Sequence, residues 1–332
     1  MPTRAPRMKI AFLGSGAFGL PSLTSLAQHH TIVGVVSQPD KPAGRGGELT
    51  PTPISRFAMQ NLADVPLLRP ERVNTPDIIR TIHDWNADAW VVIAFGQKLS
   101  PALLAGPPAM NLHASLLPRW RGAAPINHAM LGGDAVTGNS VITLADTMDA
   151  GLILAQSRRA IEHTQTAGEL HDLLATDGPA LLDEVLARVA REGLRGQAQN
   201  ESLVTLAPKL SKADAWVDFT QPAEDCRRRI NALTPWPGVA VTLDAAPLKL
   251  LRAATQPQDD ESPAAGSSAR ADAPPGTLID IERGWVACGS GTRLRLLEVQ
   301  PAGGRPMTWR EFANGRRLAA RPGVTLTGGR PC

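Results

Sequence analysis

The sequence predicts an α/β protein, in which a doubly wound, mostly parallel sheet precedes a small C-terminal β-barrel. Two observations carry this prediction. Up to Gly193, short apolar runs alternate with amphipathic segments, which is the pattern of strands and helices around a parallel sheet. Beyond Ser211 only short β-type runs recur between turn residues, and that texture is typical of a small barrel.

In the first part, four short apolar runs are expected as buried strands. They are residues 9–13, 32–36, 89–94 and 109–113. The first helix is expected between the first two strands. Another follows Thr75, which can cap it, with Pro76 in its first turn. A further helix restarts at residues 177–179, because the positions after them share one apolar face: Leu181, Leu182, Val185, Leu186 and Val189.

Domain boundaries are placed where the pattern of apolar and polar residues changes. Residues 8–193 are predicted as the first domain, the polar and aperiodic residues 194–210 as a linker, and residues 211–328 as the barrel domain. Residues 256–274 are rich in Pro, Ala, Ser and Asp and can bury little apolar surface, so a disordered insertion is expected there. The barrel strands are expected at residues 239–243, 248–251, 277–281, 285–287 and 294–299.

Composition narrows the class of protein. Hydrophobic residues make up 43% and charged residues 20%, as in soluble globular enzymes. No apolar run approaches the roughly 18–20 residues of a membrane span, and the first seven residues lack the apolar core of a secretory signal. Cys226, Cys288 and Cys332 form no CxxC, and the seven histidines have no metal-ligand spacing. We therefore expect a cytoplasmic protein that needs no metal. We also expect it to be a monomer.

The net charge of +3 is unevenly divided. Residues 1–204 carry 17 Lys and Arg against 18 Asp and Glu, whereas residues 205–332 carry 17 against 13. A moderately basic second part suits a phosphate-bearing partner. A plain solvated surface explains the same charge equally well.

The candidate site centres on Asn111 and His113, which end an apolar run and are followed by Asp149. Residues i and i+2 of a strand share a face, and open α/β sheets bind ligands at the carboxyl ends of their strands. An amide can donate to a developing oxyanion, an imidazole can move the proton, and a carboxylate can orient the imidazole. Together they suit transfer of an acyl carbon to an amine. Taken alone, an Asn-x-His pair is more often a polar pair at the surface or core edge.

A glycine-rich turn, Gly14-Ser-Gly16-Ala-Phe-Gly19, follows the first strand, and Asp40 lies further on. This spacing is that of a dinucleotide-binding turn. However, Asp40 lies beyond the second strand, within Gln-Pro-Asp-Lys-Pro, and close packing of a strand on a helix also requires glycine. We do not expect a bound dinucleotide.

These motifs belong to a longer resemblance. Residues 111–122 read NLHASLLPRWRG and resemble the folate-site motif of the formyltransferases that use 10-formyltetrahydrofolate. The resemblance runs in order through residues 8–320 and includes residues 37–46, 91–97, 208–212, 234–237 and 297–303. It implies a Rossmann-like formyltransferase domain followed by an OB-like barrel, with 10-formyltetrahydrofolate as co-substrate.

The resemblance also assigns roles. The Asn, His and Asp of the family pattern carry over to Asn111, His113 and Asp149 as catalytic residues. The sequence around Asp149 reads Met-Asp-Ala-Gly, where the tRNA-formylating members usually have Leu-Asp-Thr-Gly-Asp. The implied walls of the folate pocket are Phe95, Gly96, Ser115, Leu116, Leu117 and Pro118.

Within the family, the chain is most similar to the members that formylate methionine on initiator tRNA. The resemblance implies tRNA contacts by a flexible loop that carries Lys41 and Arg45. If the basic C-terminal half binds the acceptor stem, the candidates there are Lys209, Lys212 and the arginine cluster 227–229. In this loop Glu48 follows Gly47, where further basic residues are common. Two alternatives stay open: a formyltransferase acting on a small amine, such as glycinamide ribonucleotide or an amino sugar, and an RNA-binding protein with an inactive transferase domain.

Overall fold

A computed structural model describes residues 7–43, 47–255, 273–318 and 324–329. The chain divides into two compact units. The first contains Met1–Pro125, Thr137–Arg159 and His171–Leu206, and the second contains Ile126–Val136, Ala160–Leu170 and Ala207–Cys332. Two short segments between Pro125 and His171 thus belong to the second unit, which nothing in the sequence pattern predicts. The domain boundaries proposed above stay predictions.

Up to Glu192, the described residues contain ten strands and six α-helices. The strands are β1 (Lys9–Gly14), β2 (Thr31–Val36), β3 (Lys41–Ala43), β4 (Glu48–Thr50), β5 (Leu67–Leu68), β6 (Ala89–Ile93), β7 (Ala109–His113), β8 (Arg121–Gly122), β9 (Val136–Thr143) and β10 (Ile153–Ala160). The helices are α1 (Leu20–His29), α2 (Pro53–Asn61), α3 (Pro76–Asp84), α4 (Pro101–Leu104), α5 (Pro125–Leu131) and α6 (Ala167–Glu192).

Seven of these strands form one sheet in the order β10-β9-β7-β6-β1-β2-β5. The pairs β1–β2, β1–β6, β2–β5 and β6–β7 are parallel, whereas β9 is antiparallel to β7. The strand order reverses between β1 and β6, because β1 leads to β2 on one side while β6 and β7 lie on the other. The predicted doubly wound, mostly parallel sheet is confirmed, and its switch point lies at the carboxyl ends of β1 and β6.

The core of this unit explains why the strands read as unbroken apolar runs. All five residues of β6 are buried, as are the last five of β1. Trp90 and Phe12 are among the largest fully buried side chains. A strand covered on both faces has no solvent-facing positions, so its sequence does not alternate.

Three local expectations need correction. The helix at residues 177–179 does not restart there, because α6 runs unbroken from Ala167 to Glu192 with Pro179 inside it. Buried Leu170 and Leu174 anchor the turns before the proline. Helix α3 begins at Pro76 as predicted, but the Thr75 side chain makes no capping hydrogen bond. The segment after Asp40 is not simply a loop, since β3 and β4 pair as an antiparallel hairpin.

The second unit contains an antiparallel sheet. Strand β11 (Leu206–Ala207) lies at the boundary of this unit. The strands of the sheet are β12 (Val239–Leu243), β13 (Ala246–Ala254), β14 (Leu278–Asp280), β15 (Trp285–Ala287), β16 (Arg293–Pro301) and β17 (Met307–Thr308), and the helices are α7 (Ala223–Ala232) and α8 (Trp309–Gly315). The order is β12-β13-β16-β15-β14, with β17 beside β16. The strands lie where the sequence predicts them.

The two edges of this sheet are joined by the C-terminal segment. Thr327 bridges Thr242 on β12, and Thr325 bridges Thr277 next to β14. One short segment therefore pairs with both edges, which closes the sheet as a barrel requires. Of the insertion predicted at residues 256–274, residues 256–272 lie outside the described residues.

Candidate active site

Asn111 and His113 lie on the last strand of the parallel part of the sheet. Asn111 of β7 is in register with Val92 on β6 and with Ile142 on β9. His113 is the last residue of β7, and its side chain is only 7% exposed. The strand therefore presents both side chains next to the switch point.

Asp149 lies close to both of them. Its Oδ1 accepts from Asn111 Nδ2 at 3.5 Å, and its Oδ2 lies 3.7 Å from His113 Nδ1. The backbone N–H of Gly122 donates to the same Oδ2 at 2.8 Å. The side chain is 10% exposed, and the residue has a left-handed backbone with φ of 56°. The structure thus gathers an amide, an imidazole and a carboxylate at one place.

The hydrogen-bond partner of His113 defines its tautomer. Nε2 lies 2.9 Å from the carbonyl oxygen of Trp120. A carbonyl can only accept, so Nε2 carries the hydrogen. In the neutral ring Nδ1 is then the free lone pair, and it faces the Asp149 carboxylate. This arrangement places a proton-accepting nitrogen beside a negative charge that stabilises the protonated ring.

The turn after Asp149 depends on a glycine. A Cβ on Gly151 would lie 1.7 Å from the carbonyl oxygen of Thr143 on β9. No side chain fits there unless the backbone moves. Leu152 N–H also donates to Thr143 Oγ1 at 2.8 Å, so the residue after the glycine is fixed against the strand.

The predicted folate wall at Phe95 and Gly96 lies directly beyond the end of β6. Phe95 is buried, and its carbonyl accepts from Ser15 Oγ at 3.1 Å, which joins the loops that follow β1 and β6. Gly96 is exposed with φ of 85°, and the nearest neighbour of a Cβ there would be Gln38 at 3.9 Å. The buried Gln38 Nε2 has no hydrogen-bond partner among the described residues.

The second predicted wall, residues 115–118, follows His113. Ser115 is fully buried, and its hydroxyl donates to the carbonyl of Arg119 at 2.7 Å. Ser140 Oγ donates to the Ser115 carbonyl and accepts from Leu117 N–H. Ser115 therefore shapes the turn from inside, whereas Leu116 and Pro118 are partly exposed.

The predicted tRNA contacts fall into two groups. Lys41, Lys209 and Lys212 are exposed, while Arg45 lies outside the described residues. The side chains of the arginine cluster 227–229 have partners within the protein, which argues against the predicted phosphate-binding role. Arg227 and Arg228 both pair with Glu224, and Arg229 donates to the carbonyls of residues 214 and 216.

Arg121, a further cation of the motif, is also structural. It is buried and binds Glu201 at 2.7 Å and the Gln199 side chain at 2.9 Å. The guanidinium holds the pKa of Glu201 below its usual range. Residues 197–206, interpreted from sequence as part of a linker, therefore contribute to the site.

Comparison with known proteins identifies the family. The profile described as formyl transferase matches residues 8–186, and that described as formyl transferase, C-terminal domain, matches residues 209–317. The chain belongs to the formyl transferase family. The resemblance inferred from residues 111–122 is thereby confirmed at the level of the family.

Relatives within the formyl transferase family extend over nearly the whole chain. A methionyl-tRNA formyltransferase of Xanthomonas euvesicatoria is 38% identical over 93% of this chain and 98% of its own length. The corresponding protein of Thiobacillus denitrificans is 40% identical over 94% of this chain and 98% of its own.

Solved structures show the same fold at low identity. An N-formyltransferase from Helicobacter canadensis, in complex with folinic acid and dTDP-3-aminofucose, has a TM-score of 0.62 and 14% identity over 87% of this chain and 98% of its own. Among the residues described for this formyl transferase, no cluster of His, Cys, Asp and Glu could hold a metal ion, and no helix is long and apolar enough to cross a membrane.

Proposed function

We propose that this chain transfers the formyl group of 10-formyltetrahydrofolate to the α-amino group of methionine on initiator tRNA, which serves translation initiation. The observation that carries the proposal is the extent of the similarity. Identities of 38–40% to methionyl-tRNA formyltransferases cover 98% of those relatives, and so include the C-terminal domain as well as the catalytic one.

The described residues fit such a formyl donor. The Asn111 amide makes only a 3.5 Å contact with Asp149, so it can turn to a nearer acceptor at little cost. The exposed Gly96 lets a flat ring approach the backbone, and the Gln38 amide has an unused donor next to it. We assign Phe95, Gly96, Leu116, Leu117 and Pro118 to the folate pocket, with Ser115 supporting the turn behind them.

The donor supplies an electrophilic formyl carbon bound to nitrogen. Asn111 Nδ2 donates a hydrogen bond to the oxygen on which negative charge develops, and one such donor contributes about 3 kcal/mol in comparable sites. His113 Nδ1 accepts the proton that the attacking amine loses and passes it toward the leaving nitrogen, which typically contributes about 10²–10⁴-fold. Asp149 Oδ2, 3.7 Å away, stabilises the charged ring.

Binding of the tRNA acceptor is proposed to use exposed cations. We assign Lys41, Lys209 and Lys212 to phosphate contacts, because their side chains are exposed. Arg45 is assigned to the same set from the sequence. Arg45→Ala should lower kcat/KM for tRNA more than it weakens donor binding, and equal losses for the two substrates would remove Arg45 from the set.

A formylation assay tests the proposed function directly. The wild-type protein is given the donor with charged initiator tRNA, glycinamide ribonucleotide or an amino-sugar nucleotide. Formylation of methionyl-tRNA at a kcat/KM at least about 100-fold above the small amines is expected. Preference for a small amine would favour the alternative transferase, and tRNA binding without turnover would favour the RNA-binding protein.

Two further parts of the proposal concern the state of the enzyme. We infer that it acts as a monomer and in the cytoplasm, where its substrates occur. The widely separated cysteines support a reducing compartment. Light scattering at micromolar concentration should give a mass near the 35.2 kDa of one chain.

A further inference from the structure

Two residues that contact His113 have left-handed backbones. Trp120, whose carbonyl accepts from Nε2, has φ of 67°, and Asp149, whose carboxylate faces Nδ1, has φ of 56°. Residues other than glycine adopt this region at a cost in free energy and keep it only where their surroundings hold it. The orientation of His113 therefore depends on whatever fixes these two residues.

The same short segment holds both of them. Gln199 Nε2 donates to the carbonyl oxygens of Asp149 at 2.7 Å and of Gly151 at 2.8 Å. Thr205 Oγ1 accepts from the Trp120 N–H at 2.9 Å, and the Thr205 carbonyl accepts from the next N–H at 2.9 Å. Residues 197–206 thus brace the loops on both sides of the imidazole, and we call them the brace segment.

The amide of Gln199 has a defined orientation. Its Oε1 accepts from Arg121 Nε at 2.9 Å, so its NH₂ must face the two carbonyls. Arg121 is itself fixed by Glu201, which it meets with Nη2 at 2.7 Å and Nη1 at 3.2 Å. A planar guanidinium in such a bidentate pair has little freedom to turn. Hydrogen bonds of defined direction therefore link Glu201 through Arg121 and Gln199 to Asp149.

We infer that Gln199 and Thr205 are positioning residues for formyl transfer, which fix Asp149 and Trp120 around His113 without touching either substrate. This inference rests on the proposed function. It predicts that loss of either residue slows the chemical step and leaves substrate binding unchanged. A displacement of about 1 Å in a catalytic group can cost on the order of 100-fold in rate.

The test compares variants within the brace segment. Gln199→Ala should lower kcat about 10–100-fold, while KM for methionyl-tRNA and for the formyl donor changes by less than about threefold. Thr205→Val, which keeps the shape and loses the hydroxyl, should lower kcat about tenfold. Gln60→Ala is the matched control, because Gln60 is an exposed glutamine on α2, outside the brace segment, and the kcat of that variant should equal that of the wild type.

A double-mutant cycle separates positioning from a general structural role. In an Asp149→Ala background, adding Gln199→Ala should lower kcat by less than about twofold, because the group it positions is gone. A multiplicative loss in the double variant, or a wild-type kcat in Gln199→Ala, overturns the inference. If Gln199→Ala does not fold, Thr205→Val supplies the corresponding test in a His113→Ala background, because His113 is the group that Trp120 orients. A wild-type protein that formylates no amine would instead overturn the proposed function.

Discussion

His113 donates from Nε2 to the carbonyl of Trp120 at 2.9 Å, and its Nδ1 faces Asp149 Oδ2 at 3.7 Å. The bond to Trp120 fixes the tautomer, and the wider gap to Asp149 leaves Nδ1 able to take a proton from a substrate. The two partners of His113 therefore have different roles: the Trp120 carbonyl orients the ring, and the Asp149 carboxylate stabilises its charged form.

The first prediction concerns the two groups that meet the formyl carbon. Replacing Asn111 or His113 with Ala should lower kcat by at least ~10², with tRNA affinity near normal, because both act on the developing charge rather than on binding. Single-turnover rates and filter binding of methionyl-tRNA measure the two effects. Turnover like that of the wild type in either variant would refute the assigned mechanism.

A second prediction concerns the turn that carries Asp149. In Gly151→Ala the new Cβ would collide with the Thr143 carbonyl, so the loop must shift and carry Asp149 away from His113. We expect kcat to fall at least about tenfold. Gly315→Ala is the control, because a Cβ there meets nothing within 4 Å. Equal kcat in the two variants would show that the turn has room to adjust.

The sequence predicts some residues of this site and misses others, for a physical reason. Asn111 and His113 are two positions apart in a strand, so local geometry alone places them together. Gln199 and Thr205 act on loops that lie 50 and 85 residues before them. Their segment is polar and aperiodic, so it has the pattern of a linker, and only the tertiary fold shows what it contacts.

The arginine cluster on α7 shows a different kind of limit. Glu224 precedes Arg227 and Arg228 by three and four positions, a helical spacing that favours ion pairs, and both pairs form. These ion pairs can be predicted from the sequence spacing alone. The packing of Arg229 over the Trp216 ring, at 3.5 Å to its centre, depends on how the preceding loop folds back.

A third prediction follows from an ion pair in the second unit. Hydrogen bonds from Arg252 lower the pKa of Glu169 from 4.5 to about 2. A carboxylate whose pKa is depressed on folding stabilises the protein above its unfolded pKa and loses that effect as the pH falls. Because Glu169 is 47% exposed, we expect about 1 kcal/mol after solvent screening.

Glu169→Gln should therefore be less stable than the wild type at pH 6, and the difference should shrink between pH 4.5 and pH 2. Urea unfolding across that range measures it. Glu184→Gln on the same helix is the control, because Glu184 is 64% exposed and meets Arg188 only at 3.9 Å. A difference that does not depend on pH would show that the charge of Glu169 does not stabilise the fold.

The last prediction concerns how the enzyme holds tRNA. If Lys209 and Lys212 meet phosphates, the logarithm of affinity should fall linearly with the logarithm of salt, and removing each lysine should reduce the slope by somewhat less than one. Arg80→Ala is the control, since Arg80 is exposed on α3 and pairs only loosely with Asp77 at 3.5 Å. Because Arg227 and Arg228 are held by Glu224, their replacement should lower the melting temperature and leave the salt slope unchanged. A slope that falls with Arg228→Ala but not with Lys212→Ala would place the tRNA against α7 and reverse this assignment.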